Sequence, residues 1–186
     1  MSIKISSQRL DMTSITEDDW ELFRSLHTDP AVISLCFDEP STEELSERFR
    51  SRLPHWSTKS SHWLCLTIAL RETGEQVGIT GLKFNNGVAE VGYLLLPQFY
   101  GFGFATESLM AVLNWASNTH GIFAYNAVVT EGNFSSERVL LKCGFSLKEV
   151  IPDAYDIGGK VYADNIYSIE NIDTLQGKQL GIQGQT

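Results

Sequence analysis

The sequence has no apolar run approaching the ~18–20 residues that a helix needs to cross a bilayer, so no membrane partner is expected. Cysteine is scarce. Cys36, Cys65 and Cys143 are odd in number, widely spaced and in no CxxC pair. That argues against a disulfide framework and a thiolate metal site, and suits reduced thiols in a cytoplasm. Positive charge is scarce too: 14 Lys and Arg stand against 23 Asp and Glu, a formal charge of −9. Such a surface repels a phosphate backbone, so direct nucleic-acid binding is not expected. It would attract an amine or a basic peptide, although solubility alone is a sufficient reason for the charge. Met1–Leu10 carries only Lys4 and Arg9 as cations and no apolar stretch, so no secretory leader is expected there. Repeats and low-complexity segments are absent as well.

What is present fits one globular domain. Hydrophobic residues make up 42% of the 186 and charged residues 20%, a composition able to fill a core. The domain is expected over residues 1–172, with 173–186 a flexible tail poor in apolar side chains. A weakly patterned strand is read over Ile3–Met12. Thr16-Glu17-Asp18-Asp19 opens a helix, with Thr16 as cap and acids at the positive dipole end. Trp20, Phe23 and Leu26 form its apolar face, and Pro30 interrupts it or begins a new turn. Ser41 or Thr42 caps a second helix to about Leu53, with Leu45, Phe49 and Leu53 on one face. Trp63–Leu70, Gln76–Phe84 and Val88–Leu96 read as strands, the last two joined by an Asn85-Asn86-Gly87 hairpin. Thr106–His120 is a helix, Phe123–Val129 a strand and Ser135–Cys143 a short helix closed by Gly144. Phe145–Ile151 and Val161–Ile169 close the chain. This order predicts an α/β (α+β) fold: a mixed sheet with helices on both faces.

The most informative segment is Leu94-Leu95-Leu96-Pro97-Gln98-Phe99-Tyr100-Gly101-Phe102-Gly103-Phe104-Ala105-Thr106-Glu107. A strand enters a two-glycine loop and the loop enters a helix. Small residues let backbone N–H groups approach an anion, and the helix start adds a positive dipole end. A P-loop would need Gly-Lys-Ser/Thr, which is missing. A dinucleotide fingerprint would need a third glycine where Thr106 stands. Alone, Gly101 and Gly103 are as well explained by a simple turn.

Two further segments change the balance. Ala89-Glu90-Val91-Gly92-Tyr93 runs down the strand that feeds the loop. Asn133-Phe134-Ser135-Ser136 and Lys142-Cys143-Gly144-Phe145 follow it. With Arg9-Leu10 and the acidic first helix, they resemble the GNAT superfamily of N-acetyltransferases over about residues 8–169, and within it the RimJ/RimL-like branch that acetylates ribosomal-protein N-termini. The resemblance implies a central, mostly antiparallel mixed sheet, splayed where acetyl-CoA binds between the Val88–Leu96 and Phe123–Val129 strands. Pantetheine would pair with backbone at Leu94, Leu95 and Leu96. The pyrophosphate would rest on the amides of Phe102, Gly103, Phe104 and Ala105, at the start of the helix that holds Thr106. Phe102 replaces a common Lys or Arg of the family, leaving the loop itself without a cation, and Arg138 or Lys142 could compensate. Acetyl-CoA is thus the expected co-substrate, with no metal.

The reaction implied is acetyl transfer to an amine, by direct attack in a ternary complex. A protein α-amine, with a pKa near ~7.7–8.0, needs less help from a base than a lysine side chain does. Many superfamily members use a tyrosine as acid, but its place is Leu140 here. The branch instead implies Ser136 as proton donor to the leaving sulfur. Capping the short helix is an equal claim on Ser136, and Ser135 competes for that cap. Asn133 would orient CoA or substrate, or merely make a turn. Glu90 is the expected base acting through water, its alternative being an outward strand charge. Asp153, Tyr155 and Asp156, read as a loop before the last hairpin, could hold the amine, and Asp164 reads as structural. His55 and His62, lone histidines beside Trp56, stay outside the catalytic set, and Cys143 reads as packed. The acceptor is expected to be a protein N-terminus or a small amine. A non-catalytic acyl-CoA sensor, or a plain structural domain, would keep the glycine turn without turnover. Aromatic residues expected to be exposed near Trp56 and Phe99 would permit a homodimer as well as a monomer.

Overall fold

The computed structural model describes residues 2–170. Their strands form one eight-stranded sheet, β1 (Lys4–Ser6), β2 (Leu10–Ser14), β3 (Leu64–Leu70), β4 (Gln76–Asn85), β5 (Val88–Leu95), β6 (Ala124–Thr130), β7 (Ser146–Ile157) and β8 (Lys160–Ile169). The spatial order is β1-β2-β3-β4-β5-β6-β8-β7, antiparallel throughout except for the β5–β6 pair. The helices are α1 (Trp20–Thr28), α2 (Pro30–Ile33), α3 (Thr42–Arg50), α4 (Phe104–His120) and α5 (Phe134–Lys142). No helix among the described residues is long and apolar enough to cross a membrane. The expected tail, 173–186, lies outside the described residues.

Local signals set most of these elements. Thr16 and Asp19 form a capping box ahead of α1, and Ser41 and Glu44 form another ahead of α3, so the first orphan N–H groups are satisfied by side chains. Asp29 accepts from Ala31 N–H at 2.9 Å and starts α2 behind Pro30. Asn86 and Gly87, at φ 49° and 85°, make the two-residue hairpin turn. Two readings need correction. Ile3–Met12 is two strands, because Ser7 N–H bonds Leu10 C=O at 2.9 Å and folds the polar Ser7–Arg9 stretch into a hairpin. The penultimate strand runs on to Ile157, so Tyr155 and Asp156 lie on β7 and not in a loop. It passes Pro152 because β7 is the sheet edge, where a missing donor costs no ladder bond. Asp153, at φ 51°, absorbs the register shift as a bulge.

Alternation along the central strands divides the core. Leu82, Val91 and Leu95 face α4 and α5, while Ile79 and Leu94 face α1 and α3, and Leu96 packs against both halves. Trp56 is buried against Trp115 and His120, and Phe99 against Phe104. Trp56 and Phe99 themselves are thus not exposed, but beside Phe99 the rings of Tyr100 and Phe102 are, as the sequence suggested for that stretch.

His27 makes stability pH-dependent. Its ring stacks on Phe23 at 4.0 Å, and its Nδ1 lies 2.7 Å from Phe23 C=O. Burial holds its pKa down at about 4, with Arg48 and Arg52 adding to the effect and the Phe23 bond opposing it. Between the ordinary value of 6.5 and about 4 the folded protein binds fewer protons than the unfolded chain. Stability therefore falls as pH drops through that window and is independent of His27 below it. His27→Gln is expected to remove about 3 kcal/mol of the loss between pH 7 and pH 4, read from urea midpoints. An unchanged pH slope would contradict this.

Candidate active site

β5 and β6 are registered at Val88↔Ala124, Ala89↔Tyr125 and Glu90↔Asn126, and then part. Each strand continues for several residues, β5 to Leu95 and β6 to Thr130. Backbone groups along the gap are thus left without a strand partner. Leu96 is engaged elsewhere: its N–H bonds Val77 C=O at 2.9 Å and its C=O takes Phe99 N–H at 3.0 Å. Alternation in the antiparallel β4–β5 pair then turns the polar groups of Leu94 toward β4 and those of Tyr93 and Leu95 toward the gap.

The gap opens into two half-clefts that share Leu35, Cys36, Tyr93, Asn133 and Ser136 as a waist. One half, about 440 Å³, is walled by Leu94, Leu95 and the loop from Tyr100 to Thr106. The other, about 340 Å³, is lined by Glu90, Tyr155 and Asp164. The stretch after α2 crosses over the waist. Tyr100 Oη donates to Ala31 C=O at 3.4 Å, Asn133 Nδ2 to Leu35 C=O at 3.5 Å, and Gly158 N–H to Asp38 Oδ1 at 2.7 Å.

In the larger half the loop is shaped by Gly101 and Gly103, at φ 85° and 79°. Such values favour glycine. α4 begins at Phe104, two residues before the sequence suggested, because the left-handed Gly103 serves as its N-cap. The N–H groups of Phe104, Ala105 and Thr106 have no intrahelical acceptor and stand at the positive dipole end. Phe102 is 59% exposed, its ring stacked on Phe104. Arg138 and Lys142 lie exposed along the opposite rim, on α5. The loop carries no cation, but Arg9, just before β2, approaches it from behind, paired with Glu107 at 2.7 Å. Its charge is thus already neutralised. Phe102→Lys is expected to tighten CoA binding severalfold in low salt, because an exposed cation is added beside orphan amides. A CoA Kd unchanged by calorimetry would show that amides and dipole already suffice.

At the waist Asn133 caps α5, its Oδ1 accepting from Ser136 N–H at 3.2 Å. The cap therefore belongs neither to Ser135, which is exposed, nor to Ser136. Ser136 is half-buried in the third position of the helix and faces both half-clefts. Leu140 is buried in the core. A tyrosine does reach the waist, from β5. Tyr93 Oη donates to Ser136 C=O at 3.1 Å, and burial pushes its phenol up in spite of that bond. In the sequence the only signal of Tyr93 is its place on the strand beside Gly92. Cys36 also faces the waist, its thiol raised by burial.

In the smaller half Glu90 is half-buried and forms no ion pair among the described residues. Asp164, read from sequence as structural, lines the same space, and burial raises its carboxyl. Tyr155 is 43% exposed here. Asp153 and Asp156 are exposed and do not line the cleft; Asp156 accepts from Gly159 N–H. His55 and His62 do not line it either, and His62 Nδ1 lies 3.1 Å from Trp63 C=O. Cys143 is buried, its thiol pushed up to about 12 by desolvation.

Parallel strands that part midway, with an orphan-amide helix start beside the gap, are the arrangement that the resemblance to N-acetyltransferases implies for an acyl-CoA site. Sequence comparison agrees. Residues 9–146 match the family described as the acetyltransferase (GNAT) domain, and the chain belongs to that family. YoaA, an uncharacterized N-acetyltransferase of Bacillus subtilis (strain 168), is 34% identical over 105 residues. That alignment covers 55% of this chain and 59% of YoaA, less than two-thirds of the relative. Among solved structures, the spermidine N-acetyltransferase of Vibrio cholerae, in complex with CoA and spermine, aligns with a TM-score of 0.76 and 17% identity, over 90% of this chain and 98% of that one. The ribosomal-protein α-N-acetyltransferase RimL, in complex with coenzyme A, aligns with a TM-score of 0.76 and 18% identity, over 91% and 98%. At such identities the likeness is one of fold.

Proposed function

We propose that this chain acetylates the α-amine of a protein N-terminus, as a member of the RimJ/RimL-like branch working in the cytoplasm. The observation that carries the reading is the waist: Asn133 takes the helix cap, and Ser136 lines both half-clefts. Acetyl-CoA would occupy the larger half, its pantetheine amides on the backbone groups of Tyr93 and Leu95 and its pyrophosphate on the amides from Gly103 to Thr106. The amine would enter from the smaller half. Glu90, through water, takes a proton from the nitrogen as it attacks the thioester carbonyl. The C–S bond breaks, and Ser136 donates to the departing sulfur while it regains a proton from water in the cleft, to which Glu90 passes on the proton taken from nitrogen. The proton lost by nitrogen thus balances the proton gained by the thiolate, and both side chains return to their starting states.

A second acceptor class is favoured by one observation. Among the described residues the acceptor half is lined by Glu90 and Asp164 and by no Lys or Arg, which suits a small amine carrying a second positive charge. The test is free-thiol release from acetyl-CoA with peptides of varied N-terminal residue and with diamines and polyamines. Turnover with peptides alone supports the first reading. Turnover with polyamines alone replaces it with the second. No thiol release with any amine, despite CoA binding, would overturn both.

A further inference from the structure

Arg9, in the turn between β1 and β2, reaches across to the glycine loop and the start of α4. Its Nε donates to Glu107 Oε2 at 2.7 Å, its Nη2 donates to Phe102 C=O at 3.1 Å, and its guanidinium lies 4.6 Å from the centre of the Phe104 ring. Its backbone N–H and Ser7 Oγ hold the other carboxylate oxygen of Glu107, at 2.8 and 2.7 Å. One side chain thus grips both ends of the glycine turn: the carbonyl before Gly103 and the first turn of α4.

The consequence follows from peptide geometry. The bond between Phe102 and Gly103 is trans, so the C=O of one and the N–H of the other point in opposite directions. Fixing Phe102 C=O on Arg9, behind the loop, turns Gly103 N–H toward the front. The placement agrees, since Gly103 lines the larger half-cleft and Phe102 does not. Without the grip this peptide can flip, because the flip changes ψ of Phe102 and φ of Gly103, and glycine accepts either sign of φ. Arg9 itself is no phosphate ligand; its charge is spent on Glu107.

We propose that Arg9 is a positioning residue for the pyrophosphate site, holding the Phe102–Gly103 peptide so that Gly103 N–H faces the cofactor. This rests on the reading that the loop receives the pyrophosphate of acetyl-CoA. The test compares two acetyl donors, acetyl-CoA and S-acetyl-pantetheine, which has the thioester arm but no pyrophosphate. Arg9→Gln is expected to raise KM for acetyl-CoA roughly tenfold, from lost charge-assisted bonds, while kcat at saturation and kcat/KM for S-acetyl-pantetheine stay near wild type. Arg9→Lys should restore only part of the affinity, because an ammonium lacks the fork that spans Glu107 and Phe102. Equal losses on both donors would reduce Arg9 to a general brace and overturn the proposal, as would an acetyl-CoA KM that does not move. A wild-type protein that uses the two donors equally well would overturn the loop reading itself, and this inference with it.

Discussion

Ser136→Ala is expected to lower kcat roughly 10²–10⁴-fold, the usual contribution of a positioned proton donor, with little change in the Kd for CoA. The two effects separate because of how Ser136 is held. Its backbone N–H is fixed by Asn133 Oδ1 and its C=O by Tyr93 Oη. Alanine keeps both bonds, so α5 stays in place and only the hydroxyl is lost. A mutation that removes an interaction formed only as the thiolate departs lowers kcat and kcat/KM together and spares ground-state binding. Stopped-flow thiol release with saturating acetyl-CoA reads the first quantity and calorimetry the second. Turnover within a factor of two or so of wild type would remove Ser136 as donor. Tyr93 would then be the hydroxyl left at the waist, and Tyr93→Phe the next variant to assay.

What the sequence revealed, and what it hid, divides by range. The two capping boxes, the Asn86-Gly87 turn and Gly144 behind α5 are settled within four or five residues, and each stands where its residue type demands. The cleft's position was legible through a resemblance in motif order, since Gly101, Gly103, Asn133 and Ser136 come to line one space. Three features were not legible because distant chain segments make them. Arg9 meets Glu107 across 98 positions. Tyr93 meets Ser136 across 43, and nothing local distinguishes its side chain from that of another strand tyrosine. Trp56 looks like a surface residue between His55 and Ser57 until Trp115 and His120 close over it. The α5 cap was also hidden: the sequence offered it to Ser136 or Ser135, while Asn133, which caps about as well, read only as a turn residue. Helix phase decided it: α5 begins at Phe134, which makes Asn133 the cap and frees the serine hydroxyl.

The other large effect should come from β4, where glycine is required by close approach and not by a turn. A Cβ on Gly81 would overlap Leu64 C=O of β3, and a Cβ on Gly78 would overlap Leu94 C=O of β5. Both obstacles are backbone within a paired ladder, so no side chain can swing aside. Gly81→Ala is expected to cost about 3 kcal/mol or more, at the upper end of overpacking. In a chain of this size that is a melting temperature lower by roughly 6–12 °C. Gly78→Ala should cost about as much by the same mechanism, and it adds a functional effect. Gly78 lies opposite Leu95, whose outward backbone groups border the gap. Pushing Leu94 C=O away shifts Leu95, so KM for acetyl-CoA should rise in Gly78→Ala. In Gly81→Ala, whose clash is with β3, it should not. Thermal melts and donor KM values for the pair separate the two outcomes. Equal KM values would place the cofactor's backbone partners away from Leu95, and a Gly81→Ala protein that melts with wild type would show that β3 and β4 can part there at no cost.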